Sequence, residues 1–296
     1  MPTLNPIAHE ASFRKAVEET RASDLDVEWI VIDSESSADK INFHREGADI
    51  FIPIRRKEFN HGETRNAAAK QATGDFYIFI TQDAELNGVN SIKALLKPHL
   101  ENKKISVTFG RQLANKSANP IEKFVRNFNY PATSQIKEFS PHATLKTYFS
   151  SNVFSCYRKE TFWEVGGFPK IILNEDMLIN YKLLSKGYLC QYVPEATVTH
   201  SHNYSLGDQF SRYFDIGVSL RDNWEVFKNI SSAGDGKKLA WDLQKDLLKS
   251  GKFMYAMKAP LDVLCRFAGF HIGLRHHMIP KWIKPRLSMQ AYYWNS

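Results

Sequence analysis

The stretch Phe76-Tyr77-Ile78-Phe79-Ile80-Thr81-Gln82-Asp83-Ala84-Glu85 decides the fold. Its five consecutive apolar residues, β-branched and aromatic, predict a strand buried on both faces, as in an α/β sheet. The run stops at a polar cluster holding a carboxylate. Ligands of open α/β sheets bind beyond the carboxyl ends of the strands, so Asp83 is expected at the mouth of a site. An Asp after a strand is more often a simple turn residue. What separates the two readings is the rest of the chain.

Working outward, Val27–Ile32 and Ala48–Ile54 predict further strands, and Asn60 opens an Ala-rich helix. A helix over Asn90–Leu100 and a strand over Ile105–Phe109 follow. Strands alternating with helices of this length argue βαβ units and a mainly parallel sheet. Residues 114–145 lose all periodicity, which in a compact domain marks a functional loop, with a short helix near Ile121–Asn127. Strand composition returns over Tyr148–Tyr157. A helix runs from Leu173 to about Leu184, and strand segments at Gln191–Val193 and Thr197–Thr199 precede a helix over Leu206–Asn229. The amino end predicts a helix over His9–Ala22.

The 296 residues, 43% apolar and 13% aromatic, supply a sizeable core. Cys156, Cys190 and Cys265 lie too far apart for a disulfide framework or a zinc knuckle, which fits a reducing cytoplasm. No run reaches the 18 apolar residues of a membrane span. The net charge of +7 is unevenly placed: residues 237–296 hold eleven Lys/Arg against three Asp, a balance of +8. Sequence character changes at Gly234-Asp235-Gly236. Beyond it Leu239, Leu243, Leu247, Met254 and Met257 fall at helical spacing with lysines between them. Such basic amphipathic helices lie flat on anionic lipid; the alternative is a helix pair packed on the main domain with solvated lysines. The predicted organisation is a catalytic domain over 1–230 and a basic helical extension over 237–296. Nucleic acid is not an expected partner, because the cations sit in one amphipathic tail and not on a base-stacking platform.

The loops after Ile32, Ile54, Ile80 and Phe109 are expected on one sheet edge. They bring together Asp33, then His61, Arg65 and Asn66, then Asp83, then Arg111. That set suits a nucleoside diphosphate: a carboxylate accepts the N3–H of a pyrimidine, an Arg contacts a base carbonyl or phosphate, and a carboxylate with Mg²⁺ or Mn²⁺ holds a diphosphate.

These residues resemble the GT-A, family 2 glycosyltransferases, most closely the bacterial rhamnosyltransferases of polysaccharide assembly. The matching pieces are Pro2-Thr3-Leu4-Asn5, Ile32-Asp33-Ser34, Phe59-Asn60-His61-Gly62 with Thr64-Arg65-Asn66, Thr81-Gln82-Asp83-Ala84 and Gly110-Arg111-Gln112. Further on come Val165-Gly166-Gly167-Phe168, Glu175-Asp176-Met177, His200-Ser201-His202-Asn203-Tyr204 and Arg212–Gly217, so nearly the whole chain is covered. The resemblance implies a Rossmann-like sheet flanked by helices. It makes Thr3, Asn5, Asp33, His61, Arg65, Asn66 and Gln82 nucleotide-binding, with Asp33 on the base. Asp83 becomes the last residue of a DxD-type metal motif completed by His202 or His200, with Glu85 as a further carboxylate. Asp176 becomes the general base of an inverting transfer, with Glu175 and Arg111 positioning the acceptor.

The implied reaction moves L-rhamnose from dTDP-rhamnose to a polyprenyl-diphosphate-linked saccharide, at the cytoplasmic face of a bacterial plasma membrane that the protein meets peripherally. The alternatives are a UDP-hexose or UDP-N-acetylhexosamine donor, or an inactive GT-A scaffold. In that family a strand precedes the Pro-Thr-Leu-Asn loop, whereas here the loop begins at Met1. Either the native start lies upstream or the sheet lacks one edge, leaving Thr3 and Asn5 loosely held.

Overall fold

In the computed structural model, residues 1–6, 10–140, 143–228, 230 and 233–294 are described. The chain runs β1 (Pro2–Thr3), α1 (Glu10–Arg21), β2 (Ile30–Asp33), α2 (Ala38–Gly47), β3 (Ile50–Pro53), α3 (His61–Gln71) and β4 (Phe76–Ile80). It continues through β5 (Glu85–Leu86), α4 (Val89–Glu101), β6 (Ile105–Leu113), α5 (Pro120–Asn129), β7 (Gln135–Lys137) and α6 (Leu145–Tyr148). Next come β8 (Phe154–Arg158), α7 (Lys159–Glu164), α8 (Glu175–Ser185), β9 (Leu189–Thr199), α9 (Leu206–Asp222) and α10 (Trp224–Phe227). The helices α11 (Ala233–Lys249), α12 (Phe253–Gly273) and α13 (Lys284–Leu287) complete it. His9 and Asn229, the expected ends of two helices, lie outside the described residues.

This is the α/β architecture that the alternation of strands and helices predicts, with a finer difference in the ladder. Strands β1, β2 and β3 form one parallel sheet. The second sheet is ordered β4-β8-β6-β9-β5, with β7 also on β9. Strand β8 is antiparallel to both β4 and β6, so those two point the same way and open on a shared edge. Both faces of β4 are apolar: Tyr77 and Phe79 join one core with Phe162 and Phe168, while Ile80 joins another with Leu86 and Phe154.

An apolar groove of about 350 Å³, lined by Met1, Ile30, Ala69, Tyr77 and Phe79 among others, lies between the two sheets. At its site end Gln82 spans the gap, accepting from the Leu4 amide (2.6 Å) and donating to the Leu4 carbonyl (3.0 Å). Thr3 is not loosely held. It lies in β1 against Asp33, is 2% exposed, and its hydroxyl bonds Ile32 and Asp33.

Three readings change. Tyr148–Tyr157 is not one strand: α6 ends at Tyr148, and Ser150-Ser151-Asn152 form a buried polar link before β8. The segments flanking Pro194 are one long β9, whose register against β6 shifts between Gly110 and Arg111 and carries the pairing on to Leu113. The helix expected over Leu206–Asn229 is two, α9 ending at Asp222 and α10 running Trp224–Phe227.

The carboxyl-terminal helices are docked on the main body. Leu243, Leu247, Ala256 and Ala259 pack on Ile121 and Val125 of α5. Helix α12 crosses α9 in backbone contact, since a Cβ on Gly217, Gly269 or Gly273 would run into the carbonyl of Phe270, Phe210 or Phe214.

Candidate active site

Asp83 follows β4 as expected, and β9 delivers two histidines to it. His202 Nε2 lies 3.2 Å and His200 Nε2 3.4 Å from Asp83 Oδ2, with the two ring nitrogens 3.1 Å apart. Among the described residues this is the one group of three side chains whose donor atoms, all within 4.8 Å, converge as metal ligands do. Glu85 is not in it, being held in β5 opposite Thr199.

Burial pushes the Asp83 carboxyl up, but the hydrogen bonds from His200 and His202 outweigh it and hold it well below the usual carboxylate range. Burial pushes the His200 imidazole below its ordinary value, toward the neutral form that ligates metals. Its Nδ1 lies 2.9 Å from Gln112 Oε1, an oxygen that can only accept. That puts a proton on Nδ1 and turns Nε2 toward Asp83 and His202, where it donates to the carboxylate when protonated and can ligate a cation when neutral. A carboxylate and two oriented imidazoles fit a divalent cation with some nitrogen affinity.

Gln112 is the residue the sequence reading quoted but did not assign. Its Nε2 donates to Tyr130 Oη (2.6 Å) and Ser151 Oγ (2.8 Å), and Arg126 donates to its oxygen. The polar link carries the connection onward. The Asn152 amide donates to Asp176 Oδ2 (3.2 Å), Asn152 Nδ2 to Glu175 Oε1 (3.1 Å), and Ser150 Oγ to the Asp176 carbonyl (2.9 Å). A run of adjacent polar residues thus ties the Asp83 cluster to the first turn of α8. The polar Ser-Ser-Asn run inside an apparent strand was the available signal.

Asn60 caps α3 by accepting from Gly62 and Glu63, and donates to the Ile171 carbonyl. Gly62 is required because any Cβ there would meet the Pro169 carbonyl. One turn later Arg65 reaches Glu175 at 2.9 Å, both side chains nearly fully buried. Burial pushes the Glu175 carboxyl up, but Arg65 first and then His61 and Asn152 outweigh it and hold it below its ordinary value. Asp176, beside it, goes the other way: burial, then the Glu175 charge, push it up to about 7. Two adjacent carboxyls with opposed shifts are the mark of divided roles, one ionised and structural, the other able to exchange a proton near neutrality.

A cavity of about 340 Å³ opens beside these groups, with Thr3, Ser34, His61, Arg65 and Gln82 in its walls. His61 is pushed below its ordinary value by burial. Other expected residues are occupied elsewhere. Asp33 accepts from the Ser36 amide (3.0 Å), the Ser36 hydroxyl and Thr3, so its carboxylate organises its own loop. Asn5 accepts from the Ser37 amide in that loop (2.9 Å). Asn66, expected on the nucleotide, spends both ends of its amide on the Phe168 backbone (2.8 and 2.9 Å), because its position on α3 faces the Gly166-Gly167 turn. Arg111 alternates away from Gln112 along β6, and its Nε bonds the Tyr130 carbonyl (3.1 Å).

Fold and site together define a GT-A type of enzyme, and comparison with known proteins agrees. Residues 1–166 match the family model described as Glycosyl transferase family 2. The chain belongs to this family and is a glycosyltransferase. It is 36% identical over 272 residues to the O-antigen chain rhamnosyltransferase WbaN of Salmonella anatum, covering 90% of this chain and 86% of that one. It is 38% identical over 273 residues to the O-antigen chain rhamnosyltransferase RfbN of Salmonella typhimurium, with the same coverage. Among solved structures it resembles the mannosyltransferase PcManGT of Pyrobaculum calidifontis, in complex with GDP-Man and Mn²⁺. That match has a TM-score of 0.59 and 14% identity, over 94% of this chain and 85% of that one. It also resembles the glucosyl-3-phosphoglycerate synthase of Mycobacterium tuberculosis in complex with Mn²⁺ and UDP, with a TM-score of 0.51 and 15% identity, over 79% and 80%. At these identities the structural matches speak to fold alone.

Replacing Glu175 with Gln strands the Arg65 guanidinium in a dry setting. We expect a loss of about 3 kcal/mol in urea unfolding, as when one partner of a buried pair is removed. A change below about 1 kcal/mol would mean the pair is solvated.

Proposed function

We propose that the protein transfers L-rhamnose from dTDP-rhamnose, with inversion, to a polyprenyl-diphosphate-linked saccharide during cell-surface polysaccharide synthesis. The observation that carries the donor assignment is the 36% and 38% identity, across 90% of the chain, to two enzymes named as O-antigen rhamnosyltransferases. A UDP-sugar donor has no comparable support, and an inactive scaffold is disfavoured by the joint presence of the Asp83 cluster and a proton-exchanging Asp176.

In this mechanism the donor lies in the 340 Å³ cavity, with its base toward Thr3 and the Asp33 loop and its phosphates toward Arg65 and the Thr81–Gln82 wall that leads to Asp83. Asp83, His200 and His202 would hold the cation, which when bound sets positive charge against the leaving diphosphate. Two nitrogen ligands favour Mn²⁺ over Mg²⁺, an ion that prefers an all-oxygen shell. The Asp176 carboxylate takes the proton of the acceptor hydroxyl, and that oxygen attacks the anomeric carbon from the face opposite the diphosphate. The bond from that carbon to the phosphate oxygen breaks, and its electron pair leaves with dTDP. Glu175, locked by Arg65 and Asn152, keeps its negative charge and so keeps Asp176 basic enough for the task.

The base must be deprotonated to act. With a pKa of about 7, transfer should rise with pH up to about 7 and level off above it. Asp176→Asn should abolish transfer, by a factor of about 10³ or more, while dTDP binding persists. Transfer assayed as dTDP release from dTDP-rhamnose, beside a panel of UDP-sugars, checks donor and base together. Normal turnover by the Asn variant would sink the base assignment.

Gln112→Ala frees the His200 ring and should weaken Mn²⁺ binding 10- to 100-fold, roughly the effect of losing an outer partner of a metal ligand. Calorimetric titration of Mn²⁺ in the presence of dTDP reads this directly, and unchanged affinity would count against the histidine ligands.

The acceptor's lipid calls for a membrane contact, and residues 237–296 offer one. Among the described residues no helix is long and apolar enough to cross a bilayer. Yet Trp241, Leu248, Phe253, Met254, Met257 and Leu261 are exposed on α11 and α12, with Lys249, Lys252 and Lys258 among them. This is the make-up of an interfacial surface, and it supports a peripheral position on the inner face of the plasma membrane. The protein should sediment with vesicles containing phosphatidylglycerol and release at high salt. Equal binding to neutral vesicles would remove the electrostatic part.

A further inference from the structure

The cavity beside Arg65 is closed on one side by the last residues of the chain. Met289, Gln290 and Tyr292 line it together with groups from the amino-terminal half. The segment is tethered at both ends. Upstream, the buried Asp215 of α9 accepts from the Ser288 hydroxyl (2.5 Å) and the Met289 amide (2.9 Å), while Ser288 Oγ accepts from the Gln290 amide (2.9 Å). Downstream, Tyr293 and Trp294 pack on Ile172, Phe214 and Val218, and the Trp294 ring carries Lys284 at 4.9 Å. Between the anchors the Tyr292 ring meets Phe59 edge-on at 5.5 Å, and the Gln290 side chain reaches His61. Burial first, then the charges of Glu175 and Asp215, push the Tyr292 hydroxyl above its ordinary value, in keeping with a place near Glu175 of α8 and Asp215 of α9.

A surface tail without work to do would have neither a buried carboxylate clamp nor an aromatic anchor. We infer that Gln290 and Tyr292 recognise the nucleotide-sugar donor where its diphosphate joins the transferred sugar, and that Asp215 is the positioning residue that holds them there. The inference rests on the glycosyltransferase reading and deepens it. Gln290 presents both a donor and an acceptor to sugar hydroxyls or phosphate oxygens. Tyr292 offers an aromatic face that packs on a 6-deoxy sugar's methyl group and apolar ring edge. Sugar choice then lies partly in a segment that lies outside the strand-end loops where α/β enzymes usually keep it.

The test is steady-state kinetics of the full chain with Mn²⁺, using dTDP-rhamnose and UDP-glucose as donors, beside calorimetry with dTDP. Gln290→Ala and Tyr292→Leu should each raise the donor KM on the order of tenfold, the loss of about one hydrogen bond or one packed face. Acceptor KM should stay unchanged, and the preference for dTDP-rhamnose over UDP-glucose should narrow. Asp215→Ala should raise donor KM likewise, and Asp215→Asn, which keeps one accepting oxygen, should recover part of it. A merely structural Asp215 would lower the unfolding midpoint without moving donor KM. If wild type transfers rhamnose and the Gln290 and Tyr292 variants keep its donor KM, this inference fails and the enzyme assignment stands. If wild type neither binds dTDP nor turns over a donor, both fail together.

Discussion

The ion pair between Arg65 and Glu175 holds the working parts in register. It joins α3, which lines the cavity with His61 and Arg65, to the first turn of α8, which carries Asp176, at a point where both side chains are nearly sealed from water. Two charges in such a place are costly to bury and are tolerated only with good geometry and further hydrogen bonds. Both conditions hold: Arg65 also donates to the His61 carbonyl and Glu175 also accepts from Asn152. The pair therefore works less as a source of stability than as a fixed negative charge beside Asp176. Without that charge the neighbouring carboxyl would lose part of what lifts it toward neutrality.

A second layer of order is the polar run through Gln112, Ser151 and Asn152. Gln112 orients His200 at one end, and Asn152 braces Glu175 and Asp176 at the other. Buried polar groups of this kind are costly unless each finds partners. Asn152 finds them at both ends of its amide, its oxygen accepting from Ser155 and Tyr157 and its nitrogen donating to Glu175. The result is a connected set of contacts from the Asp83 cluster to the Glu175-Asp176 pair, the kind of preorganisation that the proposed transfer requires.

Some of the site was legible in the chain. Asp83 stood out as a carboxylate at a strand end, whereas the His-Ser-His after another strand and the Glu-Asp at a helix start, each with a dull explanation, were assigned only through the resemblance to family 2 glycosyltransferases. Other expected residues have their side chains held by the protein, for a common reason. Asn66, Asp33 and Gln82 are polar residues near the right loops, but the backbone itself competes for their side chains. Asn66 pins a glycine turn, Asp33 closes its own loop, and Gln82 clamps Leu4 across the gap between sheets. Short-range spacing cannot tell a side chain that faces a ligand from one that satisfies a neighbouring peptide group.

The sequence by itself determined the α/β alternation, the double-sided burial of Phe76–Ile80 and the carboxylate at its tip, since these follow from local periodicity and chain reversal. Only the tertiary structure decided that β8 threads between β4 and β6, that Gln112 bonds His200, and that Met289, Gln290 and Tyr292 return to line the cavity that His61 also lines. Each of those depends on contacts between segments far apart in the chain, from the 88 positions between Gln112 and His200 to more than 200 between Phe59 and Tyr292. Packing of the whole core selects such partners, and no local pattern encodes them.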